Sequence, residues 1–264
     1  MPGRKNRRQF LSKAFAAGAL SVLPFSRKAL SKKHHYTELP DLKGKSIVFT
    51  WGGWEGHEPK KFVDFLTPWM REQGAKLQIF NSTQPYADAA LMKQTDLVVQ
   101  CITMSTITEE EEKGLMQAVN AGVGLAGWHG GLCDSFRKHP KYHFITGGQW
   151  VAHPGDVRKY TVNIVDQKDD VTRGLKDFQV KDEQYYMLID PNVKVLATST
   201  FSGEHADWLK GTVMPVVWKK MYGRGRIFYS SLGHQLAFVK SVPEALEILK
   251  RGILWAGASK TSDG

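Results

Sequence analysis

Cysteine is scarce in this 264-residue chain: Cys101 and Cys133 are the only two, with no CxxC pair. A disulfide-stapled scaffold is therefore excluded. The two lie at predicted neighbouring strands, 97–102 and 123–128. Two free, mostly buried thiols are the expected state, a single bond being the alternative if their Cα atoms lie close enough. Beyond the N-terminal leader no run is long and apolar enough to span a bilayer, which needs ~20 residues. There is no internal repeat, and no Pro/Ser-rich linker divides the chain. Net charge is also missing from the body of the protein. Nine of the 36 Lys and Arg lie in residues 1–33, which hold no acid, so the other 27 face 26 Asp and Glu. The formal charge of +10 thus belongs to the leader, and nucleic acid is not a supported partner. What remains is ordinary globular composition, 42% hydrophobic and 23% charged, enough for one large domain with a proper core.

The leader has its own anatomy. Asn6-Arg7-Arg8-Gln9-Phe10-Leu11-Ser12-Lys13 resembles the twin-arginine export motif, and Ala14 to Phe25 has the length of a signal h-region. Ala29-Leu30-Ser31 is a candidate cleavage site. The expectation is a periplasmic or exported protein, tethered if the leader stays uncleaved, that meets a membrane only through this segment. A disordered basic tail is the alternative. Residues 34–43 read as a connector, 44–257 as one domain and 258–264 as a tail.

The body alternates in the manner of an α/β fold. Strands are predicted at 46–51, 76–80, 97–102 and 123–128. Helices are predicted from Pro59 to Gln73, over 87–93, and from a Thr108 cap to near Gly122, with Phe62, Phe65, Leu66, Trp69 and Met70 forming a core-facing stripe on the first. The second half is richer in β: strands at 159–165, 184–189 and 193–198, a hairpin of 213–220 with 226–232, and a closing helix over 243–256. The expected class is a mostly parallel sheet flanked by helices, with an elaborated second half.

One stretch stands out. Val123 to Trp128 is a short apolar strand that runs into His129-Gly130-Gly131, with a helix predicted over 132–139. Strand, glycine turn and helix put the turn at the carboxyl end of the sheet, where open α/β sheets bind ligands. The arrangement is that of a nucleophile elbow with a histidine at its tip; the alternative is a tight turn around a packed histidine. His57, His129, His153, Glu183 and His234 all follow strands or sit in glycine-bounded loops, so they are expected to share a cleft. Imidazole and carboxylate serve equally as general acids and bases and as ligands for Zn²⁺ or a similar divalent ion. None of the spacings is a compact metal signature such as HExxH. Catalytic roles fall to His129, Glu183 and His234, and candidate metal ligands are His57, His129, His153 and His234. Trp54, Trp128, Gly130, Gly131, Trp150 and Tyr185 are the candidate substrate-binding set; Trp69, Trp218 and Trp255 read as core.

Taken together, Gly127-Trp128-His129-Gly130-Gly131, the block Gly147 to Gly155, Glu183-Gln184-Tyr185-Tyr186, Met214 to Trp218 and Gly223 to His234 resemble the ThuA-like (trehalose-utilisation) family over about residues 44–257. The resemblance implies a class I glutamine-amidotransferase-like fold. In true amidotransferases the elbow carries a nucleophilic Cys; here His129 stands there and Cys133 lies beyond the turn, so glutamine hydrolysis through an acyl-enzyme is not expected. The resemblance also implies a small carbohydrate as ligand, with trehalose-like disaccharides or their 3-keto derivatives as substrates. A 3-keto group acidifies the C2 proton, which opens a route by elimination and hydration. A two-carboxylate glycosidase is less well supported, since Glu183 has no evident carboxylate partner. A non-catalytic sugar-binding or scaffold module is the competing reading. The sequence does not fix the oligomeric state.

Overall fold

The computed structural model describes residues 39–260; the leader and its export motif lie outside the described residues. The first half alternates strictly: β1 (Ser46–Gly53), α1 (Pro59–Glu72), β2 (Lys76–Phe80), α2 (Ala89–Gln94), β3 (Leu97–Thr103), α3 (Glu109–Asn120) and β4 (Gly124–Trp128). Every residue of β3 and β4 is buried, as expected where helices cover both faces of a parallel sheet. Pro59 opens α1, where its missing N–H costs nothing. Thr108 and Glu111 close a reciprocal capping box at the start of α3, so the acidic run there belongs to the helix start.

After β4 come α4 (Gly130–Cys133), α5 (Pro140–Thr146), β5 (Gly148–Ala152), β6 (Val157–Ile164), β7 (Phe178–Glu183), β8 (Tyr186–Ile189), β9 (Lys194–Thr200), β10 (Val213–Tyr222), β11 (Gly225–Ser230), α6 (Leu236–Ser241) and α7 (Pro243–Gly257). The main sheet runs β2-β1-β3-β4-β11-β10-β9-β6-β7, and β5 with β8 forms a separate ribbon. From β2 to β11 neighbours pair parallel; from β11 onward they pair antiparallel. Two buried clusters, one around Phe62, Leu66, Phe228 and Ile253 and the other around Leu115, Phe136, Tyr142 and Trp218, form the core. The described residues cluster as one compact unit.

Three expectations change. The helix predicted over 132–139 is instead a single turn directly after His129, followed by a separate helix from Pro140. Proline disfavours helical geometry at the residue before it and suits a first helical turn. The strand predicted over 184–189 begins only at Tyr186, and Glu183 closes a strand that was not anticipated. In β7 the inward positions are Phe178, Val180 and Asp182, and a carboxylate at the third of them hides the alternation. β5 was also missed, its glycines reading as loop.

The added strands matter for the site. β6 pairs with β7 along six residue pairs but with β9 through two, Asn163 with Thr198 and Ile164 with Ala197. Glu183, the last residue of β7, meets His129 just after β4.

Candidate functional site

His129 follows β4 with φ 49° and ψ −142°, a conformation rare for any side chain but glycine. Its backbone is held by N–H donation to the Ser230 carbonyl at 2.7 Å and by the Tyr229 hydroxyl, which donates to the His129 carbonyl at 3.1 Å. Glu58, Met104 and Asp156 are the other non-glycine residues with positive φ among those described. Met104 and Asp156 line the cleft above His129 and Glu58 follows His57, so backbone strain is concentrated around one place.

One ligand atom from each of His57, His129, Glu183 and His234 lies within 4.8 Å of every other. The structure thus joins the ends of β1, β4, β7 and β11. His57 Nδ1 meets Thr103 Oγ1 at 2.9 Å, which leaves Nε2 for the centre. His129 Nδ1 lies 2.7 Å from the Ser231 carbonyl; a carbonyl only accepts, so Nδ1 carries the proton and donates it. His129 Nε2 then faces Glu183 Oε2 at 3.1 Å. A lone pair facing a carboxylate is favourable only with a proton or a cation between them. His234 Nδ1 is buried 3.3 Å from Glu183 Oε1, out of line for a hydrogen bond, and has no other partner.

The electrostatics follow from this crowding. Burial, then the neighbouring His129 and His234, push His57 down to about 2, so it is a neutral imidazole. Burial would raise the Glu183 carboxyl, but the adjacent His129 and His234 outweigh it and hold it well below the usual range. His234 is raised: burial opposes its charge, and Glu183 more than offsets that. A group of three imidazoles and one carboxylate fits a divalent transition metal, since nitrogen-rich sites suit Zn²⁺ and its neighbours better than Mg²⁺ or Ca²⁺. The contacts of His129 and His234, made to the two different oxygens of Glu183, are each near the ~3.3 Å separation between neighbouring ligand atoms on a tetrahedral ion at about 2.0–2.1 Å.

His153 stands outside this group. Its Nδ1 lies 3.1 Å from Asp156 Oδ1 and its Nε2 3.8 Å from Glu183 Oε1, placing it at the cleft edge beside the four-residue group. The cleft, about 320 Å³, is walled by Trp54, Arg137, Trp150, His153 and Tyr185, with the buried His57 and Glu183 also lining it. That volume is at the lower end of small-molecule sites and suits a compact ligand. Larger grooves run along α3, but none of the four converging residues lines them. Tyr185 packs its ring 4.2 Å from His129, and Trp54 lies 4.7 Å from His57.

Other expected binding residues have different roles. Trp128 is 1% exposed and wedged against Phe62 and Phe49, so it belongs to the core beneath the site and not to the pocket wall. Gly131 makes room for β3: a Cβ there would lie 2.9 Å from Cys101 Cα. A Cβ on Gly130 would lie 2.5 Å from the His57 ring, so this glycine makes room for that histidine. Trp218 is fully buried, Trp69 and Trp255 are partly buried against the core, and Trp208 is 79% exposed. Cys101 and Cys133 are free and buried, and burial holds both thiols protonated. Sequence reading missed Thr103, Asp182 and the pair in which buried Asp134 grips Arg137 through Nε at 2.6 Å and Nη2 at 2.9 Å. Thr103 directly follows the strand predicted over 97–102, which was the available signal; for Arg137 there was none.

These features define an α/β protein with a histidine–carboxylate centre at the carboxyl end of its sheet. The ThuA family model, described as trehalose utilisation, matches residues 46–256, and the chain belongs to that family. A crystallographic structure of a protein described as ThuA-like from Bacteroides uniformis is similar at TM-score 0.70 and 18% identity, covering 88% of this chain and 97% of that one. Another, from Parabacteroides merdae, gives TM-score 0.65 and 21% identity over 83% and 92%. The cytoplasmic protein STM1381 from Salmonella typhimurium gives 0.56 and 12% over 81% and 98%. At these identities the likeness shows the fold. No curated protein matches the sequence.

Proposed function

We propose that this protein processes a small carbohydrate, a disaccharide oxidised at ring carbon 3 being the favoured substrate class, at a divalent-metal centre held by His57, His129, His234 and Glu183. The observation that carries the reading is the convergence of those four side chains beneath an aromatic-walled cleft; the family's trehalose-utilisation description supports the sugar. A metal bound there supplies Lewis acidity toward a carbonyl or hydroxyl oxygen. The chain does the rest. Trp54 and Trp150 offer apolar faces to a ring. His153, its Nδ1 turned to Asp156, presents Nε2 to the cleft as the imidazole outside the ligand set, able to take a proton from the carbon beside a keto group and return it to the leaving oxygen. Arg137, fixed by Asp134, supplies a donor at the wall. In this reading Arg7 and Arg8 direct the chain to export, and the membrane is met only in transit.

The test is turnover of keto- and plain disaccharides by the parent and by His129→Gln and Glu183→Gln, each shown to melt natively. Loss of one positioned group costs about 10²–10⁴ in rate, and both variants should fall by at least that much. Retained turnover in both removes them from the mechanism. A parent inactive on every keto-sugar favours the non-catalytic sugar-binding module.

A further inference from the structure

We infer that Asp182, which touches neither cleft nor ligand atoms, is the positioning residue that sets two of the four ligands. The inference rests on the reading of the four-residue group as a metal centre. Asp182 is the penultimate residue of β7 and is 2% exposed. Its Oδ1 accepts from the backbone N–H of Glu183 at 2.9 Å and of His234 at 3.1 Å, and its Oδ2 from the N–H of Gly233 at 2.7 Å. One carboxylate therefore grips the end of β7 and the loop after β11, segments 51 residues apart, and with them the backbones of Glu183 and His234. Thr103 and the Ser231 carbonyl orient the other two ligands through their Nδ1 atoms, so each of the four has an outer partner.

The experiment uses the full chain, stripped by chelator and titrated with Co²⁺ alone, followed by visible absorption and by melting. In Asp182→Asn the Co²⁺ affinity should fall about 10–100-fold, the range typical for outer-shell partners, with a changed absorption band. Asn keeps an oxygen for the Glu183 and His234 N–H groups but sets its NH2 against the Gly233 N–H, so a lower metal-free melting temperature is expected as well, and affinity and spectrum decide. A residue that merely staples the loop predicts that lower melting temperature with parental affinity and spectrum, and that result overturns the inference. If the variant does not fold, amide exchange in the parent decides: saturation with Co²⁺ should slow exchange at Glu183, Gly233 and His234 at least tenfold, and unchanged exchange overturns it. A parent that binds no Co²⁺ sinks the metal reading itself; a binding parent with an indifferent Asp182→Asn sinks this inference alone.

Discussion

At position 129 the backbone holds an imidazole at φ 49°, where a residue pays of order 1–3 kcal/mol for its conformation. The surroundings impose it through the Ser230, Ser231 and Tyr229 contacts. The adjacent glycines separate two effects that sequence alone merges. Gly130→Ala would drive a methyl into the His57 ring, and Gly131→Ala would drive one into the β3 backbone at Cys101. Overpacking of this kind costs roughly 1–3 kcal/mol. Gly130→Ala should therefore weaken divalent-metal binding at least tenfold, while Gly131→Ala should lower the melting temperature with metal affinity kept. Titration and melting of both variants check this, and equal metal affinity in the two would contradict the assignment of Gly130 to the centre.

The first half of the sheet was legible because its signals are local. An apolar stripe from Phe62 to Met70, a capping box at Thr108 and fully buried β3 and β4 each reveal an element within a dozen residues. His129 and its elbow were visible for the same reason. Glu183 was picked out, but its route to the site was not, because that depends on the pairing of β7 with β6, which no local pattern encodes. Asp182 interrupts the period of β7, yet its partners lie across the fold in the loop at Gly233 and His234. Trp128 misled because large aromatics beside glycine turns look alike in sequence whether they face a cleft or the core. Only packing against Phe49 and Phe62 decides.

For the molecule as a whole, a ThuA-family sheet brings three histidines and a carboxylate together at its carboxyl end, while its two thiols are free and buried. Delivery is a property of the whole chain too. Replacing Arg7 and Arg8 by Lys should leave the protein in the cytoplasm, and unchanged export on fractionation would show that the leader has been misread. The most direct test of the metal-centred site is elemental analysis of protein purified without chelator, paired with melting before and after chelation. The four converging ligands predict about one divalent transition-metal ion per chain, lost in His129→Gln and in Glu183→Gln, and a lower melting temperature once it is removed, since a ligand at 100 times its Kd stabilises by about 2.7 kcal/mol. A parent that carries no metal, and whose melting no divalent transition metal shifts, would contradict it.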